Sequence, residues 1–66
     1  MKFKELRRTK KMTQTDVARA VGVSQQLVAK WEGGMAYPRA ELGMRVAELL
    51  GVSIDVIYKA IKESKE

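Results

Sequence analysis

Gln14-Thr15-Asp16-Val17-Ala18-Arg19-Ala20-Val21-Gly22-Val23-Ser24-Gln25-Gln26-Leu27-Val28-Ala29-Lys30-Trp31 is the stretch that decides how this chain folds. Apolar residues stand at Val17, Val21, Val23, Val28 and Trp31, with the small Ala18 where two helices must approach each other. Gly22 stands where the first helix must stop, because the residue closing a helix usually takes positive φ and glycine does so without a Cβ penalty. Thr13, just outside the stretch, reads as an N-cap with Asp16 in the capping-box position, and Ser24 reads as the next N-cap. The link is then only Gly22, Val23 and Ser24, too short for the two helices to lie alongside one another. They must cross steeply, as a helix-turn-helix with its helices at about residues 14–21 and 25–32. In proteins that bind DNA this geometry sets the second helix in the major groove.

Working outward, Phe3 and Leu6 form the apolar pair of a short first helix that ends near Lys10, with basic residues at its negative dipole end. Leu27, Val28 and Trp31 face inward on the third helix at 3.6-residue periodicity, which leaves Gln25, Gln26, Ala29 and Lys30 on the outer face. Gly33 and Gly34 open a loop through Met35, Ala36, Tyr37 and Pro38. A fourth helix from about Arg39 to Leu50 places Ala40, Gly43, Met44, Ala47 and Leu50 along one side. Gly51 closes it, Ser53 caps again, and Ile54, Ile57, Tyr58 and Ile61 make the stripe of a fifth helix before a polar tail, residues 62–66. Met12 and Met44 read as core filler, and the Trp31 indole N–H is expected to need one buried acceptor. The expected fold is all-α: a single compact five-helix domain over residues 1–66.

The chain has 66 residues, at the low end of what folds alone, with no cysteine and no histidine. That removes a disulfide framework, the usual zinc sites and Cys or His chemistry, and it fits a reducing, cytoplasmic setting. No stretch has the roughly 18 apolar residues of a membrane span, and no apolar h-region follows the basic N-terminus, so neither membrane nor secretion is expected. The net charge is +5. Lys2, Lys4, Arg7, Arg8, Lys10 and Lys11 face the single acid Glu5 in the first segment, while acids and bases balance from residue 12 onward. A cationic end on a neutral body suits a polyanion approached from one side, although short basic segments are also ordinary solvated termini.

With these elements in place the chain resembles the Cro/C1-type (XRE-type) helix-turn-helix regulators, which include the lambdoid phage repressors. The resemblance covers nearly the whole chain and rests on Leu6-Arg7, Met12-Thr13-Gln14, Val21-Gly22-Val23-Ser24, Trp31-Glu32-x-Gly34, Tyr37-Pro38 and Leu50-Gly51-Val52-Ser53-Ile54. It implies a lambda repressor-like DNA-binding domain whose third helix reads the major groove, usually as a homodimer on a palindromic operator. It also implies that Arg7 and Glu32 form a partly buried structural ion pair. Two departures stand out. Gly33 replaces the family's asparagine, and Gly43 and Arg39 replace a large apolar residue and a hydroxyl cap on the fourth helix. An interior glycine costs about 1 kcal/mol against alanine, so that helix is expected to be the softest element.

Gln25 and Gln26 begin the outer face of the recognition helix, and a carboxamide offers the donor and acceptor that match N6 and N7 of adenine. Phage repressors of this family carry the same pair and use it on bases. Lys30, one turn beyond Gln26, is placed to donate to guanine or to a phosphate. Against this stands the plain reading that exposed glutamines are good helix formers. Phosphate contacts are expected from Gln14 at the N-terminus of the second helix, as in family members. Arg8, Lys10, Lys11 and Ser24 lie on the same edge, and Gly34 and Arg39 bound a loop with open N–H groups on the other.

Nothing converges for catalysis: Glu41, Glu48, Asp55 and Glu63 fall on exposed faces, and Gly33-Gly34 lacks the lysine and hydroxyl of a phosphate loop. No enzyme activity and no cofactor or metal is expected. The expected partner is double-stranded DNA, bound by a small repressor of phage or bacterial origin working in the cytoplasm on the nucleoid. Dimerisation is expected through Val56 and Ala60 on the fifth helix. A restriction-modification controller or a DNA-binding antitoxin with a protein partner shares all these features, and an adaptor without DNA binding is the alternative of another class.

Overall fold

The computed structural model describes residues 1–65. Five helices follow in order: α1 (Phe3–Thr9), α2 (Gln14–Val21), α3 (Gln25–Glu32), α4 (Ala40–Leu50) and α5 (Ile54–Glu63), with no strand among the described residues. α2 packs on α3 and α4, α1 on α3 and α5, and α4 on α5. The fold is the all-α one that the spacing called for.

Local chemistry explains where the central helices begin and end. Thr13 Oγ1 accepts from the Asp16 N–H and the Asp16 carboxylate accepts from the Thr13 N–H at 2.8 Å, a closed capping box at the start of α2. The Thr13 backbone N–H first, and the Thr13 hydroxyl after it, hold the Asp16 carboxyl below its ordinary value, with Arg19 adding a smaller pull. Gly22, at φ 77°, closes α2 and donates to Ala18 O. Ser24 Oγ accepts from the Leu27 N–H at the start of α3. Arg39 occupies the N-cap of α4 with no side-chain cap bond, as its lack of a hydroxyl requires.

Each helix contributes to one core: Phe3 and Leu6, Val17 and Val21, Val28 and Trp31, Val46 and Leu50, Ile57 and Ile61. Trp31 and Phe3 meet edge to face with ring centroids 6.2 Å apart. The acceptor expected for the indole is missing, because Trp31 Nε1 is buried with no partner among the described residues. The aromatic contact and full burial of the ring offset that loss.

Three expectations about the outer helices are corrected. α4 buries Gly43, Val46, Ala47 and Leu50, while Met44 is 62 % exposed and Ala40 is also exposed. Two ladders of helical spacing share Gly43, Ala47 and Leu50, and periodicity alone cannot choose between Val46 and Met44 as their flank. α5 chooses. A Cβ on Gly43 would meet Ile54 Cδ1 and Tyr58 Oη at 3.2 Å, so the two helices touch along that line and turn Val46 inward. The glycine therefore accommodates close packing. On α5, Ala60 is 1 % exposed, which reduces the expected dimer patch to Val56. The third correction concerns the tail: α5 runs to Glu63, Ser64 caps it, and Lys65 packs against the loop after α3. Glu66, the last residue of the expected tail, lies outside the described residues.

One ion pair ties α1 to α3. Arg7 Nε and Nη2 donate to the two carboxylate oxygens of Glu32 at 2.5 and 3.2 Å, and Nη1 donates to Met12 O at 2.7 Å. Both side chains are nine-tenths buried or more. Such a pair contributes little net stability against an apolar replacement, yet loss of one member strands a charge in the interior.

Removing one member is therefore the harsher test: Arg7→Met is expected to cost about 3–5 kcal/mol in urea unfolding, whereas Arg7→Met with Glu32→Leu recovers most of it. Lys11 lies between α1 and α2 with φ 56°, left-handed backbone that costs a residue with a Cβ about 1–2 kcal/mol. Lys11→Gly is expected to raise the unfolding free energy by about 0.5–1 kcal/mol, less than the full relief because glycine is freer when unfolded. The Asp16 contribution has the opposite pH sense to a base. It is fully present above the ordinary carboxyl value of 3.8 and fades as pH falls through the lower folded value. Asp16→Asn is thus expected to flatten the acid limb of stability measured against pH.

Candidate nucleic-acid interface

The N-terminal ends of α2 and α3 meet through a chain of side-chain hydrogen bonds. Gln25 Nε2 donates to Gln14 Oε1 at 2.5 Å, and Gln14 Nε2 donates to Glu32 Oε1 at 3.2 Å. Glu32 is in turn gripped by Arg7. A residue on the exposed start of α3 is thereby oriented from the buried ion pair outward. Gln25 uses one amide hydrogen in this chain and keeps the other hydrogen and its carbonyl oxygen, a donor and an acceptor side by side.

Gln26 and Lys30 stand exposed on the same helix, Ala29 is half-buried between them, and Val28 and Trp31 anchor the opposite face. Fixing the inner face in the core leaves the outer one free to project. Gln26 and Lys30 have no side-chain partner within the described residues.

The expected flanking cations separate into two groups. Arg8, Lys11 and Arg39 are exposed and unpaired among the described residues. Lys10 is placed differently: its ammonium lies 3.4 Å from where a Cβ on Gly51 would stand, at the C-terminal end of α4. That sets its charge near the negative end of that helix while the side chain stays exposed. Ser24 spends its oxygen on the Leu27 N–H and keeps its hydroxyl hydrogen.

The loop of residues 33–39 departs from the expectation of open N–H groups at its start. Gly34 donates to Trp31 O at 3.1 Å and Met35 to Lys30 O at 2.9 Å, so both N–H groups close α3. Gly34 is also buried beneath Lys65, which removes it from any surface a ligand reaches. Ala36 and Tyr37 keep their N–H groups without a partner among the described residues, as does the uncapped first turn of α4. Sequence reasoning missed the role of Lys65 altogether, since it sits 31 positions after Gly34 in a segment of polar composition.

No helix among the described residues is long and apolar enough to cross a membrane. A family model described as helix-turn-helix matches residues 3–57. The chain is 35 % identical over 54 residues to the HTH-type transcriptional activator BcrR of Enterococcus faecalis, covering 82 % of this chain and 26 % of that protein. It is 35 % identical over 57 residues to an uncharacterized HTH-type transcriptional regulator of Methanocaldococcus jannaschii, covering 86 % of each. No solved structure matches the chain significantly. The matched residues contain the whole of α1 to α4 and the Arg7 to Gln25 chain, and on this ground the protein belongs to the Cro/C1-type helix-turn-helix family of DNA-binding transcriptional regulators.

Proposed function

We propose that this domain binds a specific double-stranded DNA operator, with α3 in the major groove and Gln25, Gln26 and Lys30 reading base edges. The observation that carries the proposal is the Gln14 to Gln25 bond, anchored on Glu32, because base readout by a flexible side chain gains from being held in place before binding. Gln14, through its second amide hydrogen, and Arg8, Lys11, Ser24 and Arg39 supply phosphate contacts that fix the register of the helix. Lys10, exposed although turned toward the end of α4, joins them, and Gly34 leaves the set because it is buried and its N–H closes α3.

An eight-residue helix is about 12 Å long and faces only three or four base pairs. So short a site recurs too often to mark one operator, which favours two copies on a palindrome with half-site centres about 10 bp apart. With Ala60 buried, α5 offers Val56 alone as an apolar contact, so the two copies meet chiefly by binding adjacent half-sites. Occupancy of an operator that overlaps a promoter represses. The Enterococcus relative carries the name of an activator, and the position of the operator decides the sign.

Selection from a random duplex pool is expected to return a two-fold symmetric motif bound with steep salt dependence. On that motif Gln25→Ala and Gln26→Ala are each expected to weaken binding by about 1–3 kcal/mol per lost bidentate contact; the thermal midpoint stays in place for Gln26→Ala and falls slightly for Gln25→Ala, which loses its bond to Gln14. Titrations in which both variants bind as tightly as the parent would remove the base-reading role.

A further inference from the structure

The loop 33–39 is held by the far end of the chain. Tyr58 Oη donates to Pro38 O at 2.8 Å, and the Tyr37 and Tyr58 rings lie 6.2 Å apart. The Lys65 ammonium stands 5.2 Å from the centroid of the Tyr37 ring, within the range of a cation–π contact. Below it, a Cβ on Gly34 would fall 2.3 Å from Lys65 Cγ and 2.9 Å from Lys65 N, so the main chain at Lys65 passes directly over the glycine. The end of α5 is itself fastened, because Ser64 Oγ donates to Ala60 O and accepts from the Phe3 N–H. Past Met35 the loop makes no backbone hydrogen bond of its own until α4 begins, so its path rests on these contacts together with the packing of Ala36 against the core and the burial of Pro38. That path delivers the chain to Arg39 and the open first turn of α4.

We propose that Lys65 and Tyr37 form a clasp by which the C-terminal end of the domain positions the 33–39 loop for phosphate contact. Lys65 is then a positioning residue whose charge is spent on an aromatic ring instead of on DNA. The proposal rests on the DNA reading above. A loop left free must be ordered when it meets the backbone of the duplex, and the clasp does that ordering in the free protein. Since the loop faces phosphates, its effect on affinity is the same whatever the base sequence.

The test joins hydrogen exchange in the free protein to duplex binding, with Lys65→Ala, Tyr37→Leu, the double variant, and Lys65→Arg and Tyr37→Phe as conservative controls. Lys65→Ala and Tyr37→Leu are each expected to speed amide exchange at Gly34 and Met35, the loop N–H groups that hold hydrogen bonds beneath Lys65, and to weaken binding about 2- to 5-fold, equally on the selected operator and on unrelated duplex. The double variant is expected to be no worse than either single one, and the two conservative variants to match the parent. Loop exchange that is unchanged by Lys65→Ala would overturn the clasp. Losses that add in the double variant, or a loss on Lys65→Ala with Tyr37→Leu neutral, would make Lys65 a direct phosphate ligand and overturn its positioning role. A parent chain that binds no duplex at all would refute the DNA reading and the positioning role together, while the exchange result would still judge the clasp by itself.

Discussion

The carboxylate of Glu32 takes hydrogen bonds from three donors on two other helices, and the arrangement of the first three helices turns on it. Two come from the Arg7 guanidinium and one from the Gln14 amide. A buried carboxylate needs hydrogen bonds on both of its oxygens, and a buried guanidinium needs a planar acceptor of matching shape. Meeting both demands fixes the end of α3 against α1 and, through Gln14, against the start of α2. The surrounding apolar contacts tolerate small shifts. A fork of paired hydrogen bonds does not, so the ion pair gives the core a register that packing by Val17, Val28 and Trp31 would leave looser.

Much of the fold was legible because its signals are local. Thr13 with Asp16, Gly22 and Ser24 act within three or four residues of themselves, and each marks a helix end by a hydrogen bond or a backbone angle that only a few residue types supply. Burial was legible only where one ladder of spacing excluded the others. On α4 two ladders competed, and the winner depended on how closely α5 approaches Gly43, a fact about a different helix. Ala60 was misplaced for a related reason: alanine carries too little hydrophobic signal to announce which side it faces.

The candidate interface divides along the same line. Gln25, Gln26 and Lys30 were placed by helical phase from Val28 and Trp31, and Arg7 with Glu32 by family resemblance, so the structure adds distances to residues already named. What it adds in kind is connection. That Gln25 bonds Gln14, that Lys10 turns to the end of α4, and that Lys65 lies across Gly34 all join residues many positions apart. None of the three leaves a pattern in composition or periodicity, because each depends on the path of the backbone after folding.

The bond between Gln25 and Gln14 also bears on how such a domain acquires a new target. Gln26 and Lys30 have no partner in the rest of the described protein, so either can be exchanged for another side chain with the fold indifferent to the choice. Gln25 has no such independence. A replacement that cannot donate to Gln14 Oε1 removes one of the two bonds that hold the Gln14 amide, the other being its own donation to Glu32. On the proposed reading of α3, retargeting is therefore easy at Gln26 and Lys30 and conditional at Gln25, where a change calls for a matching change at the start of the helix before it.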